Sequence, residues 1–404
     1  MQVHSAPVRI FTIAATLVAV AILGTPAWAG QQNGQAAAPA KQAEREGPPT
    51  EAEQAGKTAG QFYKNIKVLT NVPADKLHDG MQYITAALGV RCEFCHQEGN
   101  FASDQKRPKR KARKMMTMLF AIDKDNFNGR TEVSCYTCHQ GHERPIGAPL
   151  PAAAAETASA PALLMPRAKP MQPPAGTKIP TLSEILANYA EALGGQQALA
   201  AATSRIIDLE RSGEEQNRPP ISQEIYEGAP SKLLIVTHFG QRTFRTGYNG
   251  TEVWEGTPRG ARSLYGMEAL LPPREAQLNP VASLESYKEM RLVAMAQIGD
   301  QQAWVVTGLA PDGTAERLFF DAKTGLLVRR MIIYRTIFGP LLFQADYSDY
   351  RKQDGVAIPY KTDWWAGGRG FTETVKSVKT NVPINSAEFE PPAKGAEPAP
   401  GGTR

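Results

Sequence analysis

Two short segments, RCEFCHQ at Arg91–Gln97 and SCYTCHQG at Ser134–Gly141, constrain this chain more than anything else in it. The 404 residues include four cysteines, and two Cys-x-x-Cys-His motifs use all of them: Cys92, Cys95 and His96, then Cys135, Cys138 and His139. Two thiols at this spacing capture the vinyl groups of a haem as thioethers, and the adjacent histidine is carried beneath the iron. Structural disulfides would account for the cysteines in an oxidising compartment but leave a histidine after each pair without a role. A four-cysteine zinc site would leave both histidines idle. A thioredoxin-like motif needs one Cys-x-x-Cys within an α/β pattern, which is missing here. The motifs therefore predict two covalently bound c-type haems, with His96 and His139 as iron ligands.

The N-terminus points to export. Arg9, the apolar run IFTIAATLVAVAILG and the small-x-small site at Ala27 and Ala29 read as a Sec signal peptide over residues 1–29. The run has roughly 15 residues against the ~20 a bilayer needs. The mature protein is expected in the periplasm. Residues 30–54 read as a disordered leader, 145–180 as a Pro/Ala-rich linker and 392–404 as a disordered tail. Two folded units remain, 55–144 and 181–391. A net charge of +5 over 404 residues gives no case for nucleic acid as a partner.

The first unit reads as short helices. Leu77, Met81, Ile84 and Leu88 fall on one helical face, with Pro73 near its start and Gly89 at its end. A second helix covers roughly Lys109 to Ile122, and the basic run KRPKRKARK at Lys106–Lys114 overlaps its start. That run reads as a solvated face or as a partner for haem propionates. Met81 is a candidate sixth ligand, with core packing as the competing role. Met115, Met116 and Met118 are candidates at the second iron, and their spacing does not choose among them. A thioether opposite histidine raises the reduction potential.

The second unit opens with a helix whose capping box is Thr181 and Glu184. Short strands follow, separated by turn signals at Lys323–Gly325 and Asp354–Gly355. The expected fold class is multidomain: a small, mainly α-helical dihaem cytochrome c domain, then an antiparallel β-rich half-barrel domain of α+β type. Trp254, Trp304, Trp364 and Trp365 are candidates for cavity lining, with core building as the competing role. No Gly-x-Ser-x-Gly, His-Glu-x-x-His or phosphate-loop motif is present, so no enzyme chemistry is expected in this unit.

The stretch MQYITAALGVRCEFCH, the ARKM of Ala112–Met115 and the CYTCHQG of Cys135–Gly141 occur in this order over about residues 60–145. In them the chain resembles the cytochrome c subunit of photosynthetic reaction centres. That resemblance implies axial pairs of Met81 with His96 and of Met115 with His139. It also implies redox partner proteins and an electron-transfer complex at a membrane. The family's best-known members hold four haems, so this chain resembles a half-sized, dihaem relative, and a general electron carrier is expected. The later segments ILANYAEALGGQQALAAATSR, LFFDAKTGLLVRR and DYSDYRKQDGVAIPY are similar to half-barrel proteins of the lipoprotein-carrier type, a fold that shelters an apolar ligand. The alternatives are a peroxidase-like haem enzyme with one open iron, and an apolar-ligand binding protein with a redox-sensing cytochrome.

Overall fold

A computed structural model describes residues 50–145, 168–213, 221–257, 260–366 and 369–392. The expected signal peptide, nearly all of the leader and tail, and residues 146–167 of the linker lie outside the described residues.

The N-terminal part is helical. Its elements are α1 (Glu51–Gln54), α2 (Ala59–Phe62), α3 (Leu77–Leu88), α4 (Cys92–Cys95), α5 (Arg107–Phe127) and α6 (Cys135–His139). Gly89 ends α3 in the left-handed region at φ 63°, where a side chain would be strained. Pro108 sits in the first turn of α5, where its missing N–H costs no hydrogen bond. Helix α1 lies at the end of the segment expected to be a disordered leader. Its capping box between Thr50 and Glu53 satisfies the first backbone donors of a single turn.

The C-terminal part is one 14-stranded antiparallel sheet among the described residues. Strand β1 (Lys169–Met171) is followed by helices α7 (Leu182–Leu193) and α8 (Gln196–Ala201). Strands β2 (Ser204–Ser212), β3 (Ile221–Gly228), β4 (Lys232–Phe239), β5 (Arg242–Tyr248), β6 (Val253–Thr257) and β7 (Gly260–Leu264) form a meander. The short helices α9 (Pro272–Glu275) and α10 (Pro280–Glu285) lead to β8 (Lys288–Ile298), β9 (Gln301–Leu309), β10 (Ala315–Asp321) and β11 (Leu327–Thr336). The last strands are β12 (Gly339–Gln353), β13 (Val356–Ala366) and β14 (Arg369–Thr380). The sheet runs β1-β8 through β14 and then β2 to β7, because β14 pairs with β2.

Strand β1 lies within the stretch expected to be a linker. Lys169, Pro170 and Met171 pair with Gln297, Ala296 and Met295 of β8, at the edge of the sheet, where a proline's missing donor is tolerated. The capping box of Thr181 and Glu184 is present, and α7 buries Ile185, Tyr189 and Leu193 against Trp304, Val306, Leu318, Phe320 and Ile358. The sheet therefore curves around a helix. Asp354 and Gly355, both at positive φ, make the tight turn between β12 and β13. Among the described residues no helix is long and apolar enough to cross a membrane.

The helical and β parts share one core. Leu77, Tyr83, Ile84, Ala87 and Met116 cluster with Met267, Leu270, Ile332, Leu341 and Phe343. The tip of the β11–β12 hairpin drives this packing. Phe338, fully buried, has its ring centroid 6.1 Å from Tyr83 of α3 and 6.1 Å from Phe120 of α5. Ile337 lies over Gly80, where an added Cβ would come 2.7 Å from its Cδ1. Asp79 of α3 accepts from Tyr334 Oη at 2.5 Å and from the Met267 amide at 3.2 Å. Residues Gly47–Arg404 accordingly form one compact unit.

Candidate haem sites and their relatives

The first motif forms a single helical turn. Cys92 and Cys95 sit at the two ends of α4, and His96 leaves it in extended conformation. A cavity of about 570 Å³ opens beside this turn, between α3, α4 and α5. Its walls are predominantly apolar, and its size falls within the ~300–1,000 Å³ of cofactor sites. Met81, Cys92, Cys95, His96, Arg113 and Met116 all line it. Met81 and His96 are thus brought to the same cavity.

The donor atoms suit an iron ligand. His96 Nδ1 lies 3.1 Å from the Phe101 carbonyl, which can only accept, so Nδ1 carries the proton and the Nε2 lone pair is left for a metal. Burial holds the His96 pKa below its usual value, opposed by the Phe101 hydrogen bond and assisted by the charges of Lys109, Arg113 and Lys106. A neutral ring is the ligating form. Burial also raises the Cys95 thiol.

The second motif repeats the plan. Ser134 and Thr137 cap α6, which carries Cys135, Cys138 and His139. His139 Nδ1 lies 2.9 Å from the His142 carbonyl, which again leaves Nε2 for a metal. The Cys135 thiol is pushed up to about 11, chiefly by burial. Met115 and Met118, one turn apart on α5, are 38% and 48% exposed, and Tyr136 is 53% exposed. Each is an exposed apolar side chain of the kind a flat prosthetic group would cover. Met116 points elsewhere: it is buried and belongs to the first cavity.

Among the described residues the cysteines have neither disulfide nor metal-cluster partners. All four are free thiols. Among the described residues no group of three or more His, Cys, Asp and Glu side chains is placed to hold a metal ion by itself. Two unpaired thiols and one pinned imidazole at each motif match the needs of a thioether-bound haem.

The basic run is only partly a solvated face. Asp104 gathers Lys67 at 3.0 Å, Arg113 at 2.7 Å and Lys109 at 3.7 Å, and these partners hold its carboxyl well below the usual range. Lys109, Ala112, Arg113 and Met116 line the first cavity. Their i, i+3, i+4, i+7 spacing marks one helical face, a signal that the sequence carried but that reading it as a charge run obscured. The carbonyls of Phe101 and His142 carry no side-chain signature and were not foreseeable.

A second cavity, about 200 Å³, lies on the concave face of the sheet under α7. Trp364 lines it, whereas Trp304 is in the core and Trp254 is buried with its indole N–H on the Phe389 carbonyl at 2.8 Å. The expectation of an apolar ligand here meets a wall that includes Arg205, Glu227, Arg274, Glu275, Arg330 and Glu373. Inward-facing positions on β2, β3 and β11 carry charges, and Arg205 of β2 pairs with Glu227, its register partner on the neighbouring strand β3, at 3.1 Å.

Residues 18–173 match the family described as the photosynthetic reaction centre cytochrome C subunit. Over 98 residues the chain is 32% identical to a photosynthetic reaction center cytochrome c subunit of Thermochromatium tepidum, covering 23% of this chain and 24% of that one. Over 99 residues it is 36% identical to cytochrome c-554 of Chloroflexus aurantiacus, covering 22% and 24%. The chain thus spans about a quarter of the length of these relatives. A LolA superfamily protein from Nitrosomonas europaea aligns with 52% of this chain and 99% of its own length, at 11% identity and a TM-score of 0.40. A putative outer membrane lipoprotein-sorting protein domain from Vibrio parahaemolyticus aligns with 51% of this chain and 94% of its own, at 11% identity and a TM-score of 0.38. In its helical segment, with LGV before one Cys-x-x-Cys-His motif and CYTCH as the other, the chain is similar to the photosynthetic reaction centre cytochrome c subunits, a resemblance that implies covalently bound c-type haem.

Proposed function

We propose that the protein is a periplasmic, dihaem c-type cytochrome that passes single electrons between redox partner proteins. When bound, each haem supplies a one-electron iron couple. The chain supplies the rest. Cys92 and Cys95, and Cys135 and Cys138, fix each group covalently. His96 and His139 present Nε2, each oriented by a backbone carbonyl. Met81, which shares the first cavity with His96, would be a further ligand for the group held there, and Met115 would have that role for the group held with His139. Lys109 and Arg113 place positive charge beside the first site, where propionates need it. A signal sequence cleaved before Gly30 delivers the chain to the compartment where such haems are attached.

The observation that carries this reading is the repeated arrangement of unpaired thiols beside a histidine whose Nδ1 is already engaged. A carrier keeps both irons six-coordinate. The test is the electronic spectrum of the oxidised holoprotein, which should show only low-spin iron and a weak far-red band from methionine ligation. A high-spin iron in the wild type would instead support the peroxidase-like alternative.

A further inference from the structure

The Phe101 carbonyl lies between two donors. His96 Nδ1 approaches it at 3.1 Å and the Lys109 ammonium at 2.6 Å. Lys109 is anchored there. Its Nζ also donates to the Ser103 carbonyl at 2.9 Å and stands 3.7 Å from Asp104, and its side chain is only 11% exposed. The second motif differs. His139 Nδ1 meets the His142 carbonyl at 2.9 Å, and among the described residues no second donor reaches that oxygen.

The difference has an electronic consequence. A ring N–H that donates to a strong acceptor makes the other ring nitrogen a more basic metal ligand. A carbonyl already engaged by an ammonium is a weaker acceptor for the ring. His96 is therefore the poorer electron donor of the two histidines. The ammonium charge acts in the same direction, because a nearby cation disfavours the more positive oxidation state of an iron centre. We infer that Lys109, by sharing the Phe101 carbonyl with His96, makes the Cys92–His96 centre the more oxidising of the two. Lys109 acts through His96 and is a positioning residue. This rests on the dihaem reading above and adds an order to the two centres.

The test uses the full-length holoprotein, with haem counted first by pyridine haemochrome. A shortfall in haem would be seen there and would count against the dihaem reading, not against the role of Lys109. A spectroelectrochemical titration of the wild type should then resolve two one-electron transitions. Lys109→Met should lower the upper transition by about tenfold in the reduced-to-oxidised ratio, which is about 59 mV for one electron. The lower transition should stay in place. Lys109→Arg, which keeps a cation beside the carbonyl, should retain most of the wild-type value. In the ferrous protein the Nδ1 proton resonance of His96 should move in Lys109→Met while that of His139 does not. A packing role, or a contact to propionates alone, would leave that resonance unmoved. Lys109→Gln provides the same comparison if the methionine variant does not mature. An unchanged upper transition with both haems present, or a shift confined to the lower one, would overturn the inference.

Discussion

The amide of Gly141 donates to the carbonyl of Ala87 at 2.9 Å. This bond ties the chain just after the second Cys-x-x-Cys-His motif to the last turn of the helix that leads into the first. The approach is close because Gly89, the next turn's cap, has no side chain: a Cβ there would overlap the Gly141 carbonyl oxygen. Gly89 also holds φ 63°. Gly89→Ala is therefore expected to cost on the order of 2–4 kcal/mol, from strain and from separating the two motifs. Thermal unfolding of the holoprotein would measure it. A loss near zero would mean that the motifs are not packed in this way.

The hairpin tip makes a second prediction. Phe338 is fully buried between Tyr83 and Phe120. Phe338→Ala should destabilise the protein by roughly 3–5 kcal/mol, as large-to-small changes in cores do. Limited proteolysis should then cleave the helical part more readily. Unchanged protection would show that the helical part does not depend on the hairpin.

Asp79 tests the polar contact between the same two parts. Tyr334→Phe removes the hydroxyl that donates to it at 2.5 Å and leaves only the Met267 amide. The expected cost is about 1–3 kcal/mol in urea unfolding, the range for a buried acceptor that loses a partner. Asp79→Asn in the same background should recover part of it, because a neutral amide tolerates the loss better than a carboxylate. No recovery would show that the carboxylate charge is not what the hydroxyl compensates.

Glu275 gives a pH dependence. It faces the cavity under the sheet, and burial, with the charges of Glu373 and Glu227, raises it to about 7 against the pull of Arg211 and Arg330. Its unfolded value is about 4.3. Between these two values the folded state holds a proton that the unfolded chain has lost. Stability should therefore fall as pH rises from about 4.3 to about 7 and be level above. Glu275→Gln should remove that slope and gain on the order of 1–3 kcal/mol at pH 8, with no gain at pH 4. Equal slopes in both proteins by urea titration would contradict this.

The local parts of the structure were legible because their signals are local. The period of Leu77, Met81, Ile84 and Leu88, the stop at Gly89, the Thr181–Glu184 box and the Asp354–Gly355 turn each act within a few residues. The two Cys-x-x-Cys-His motifs, which supply the proposed haem ligands, are local in the same sense. What stayed hidden depends on distant partners. Lys169–Met171 becomes a strand only because β8 offers an edge more than a hundred residues later. Phe338 reads as a loop residue until α3 and α5 enclose it. Arg330 and Glu227 sit at inward positions, and nothing near them in sequence announces the opposite charges, Glu316 and Arg205, that neighbouring strands bring beside them.

The most direct test of the account is the haem content of the exported protein, expressed with a c-type haem maturation system. Pyridine haemochrome analysis should give two covalently attached haems per chain. Replacing Cys92 and Cys95 with alanine should leave one, and so should replacing Cys135 and Cys138. A protein without covalent haem in this experiment would contradict the proposed function at both sites.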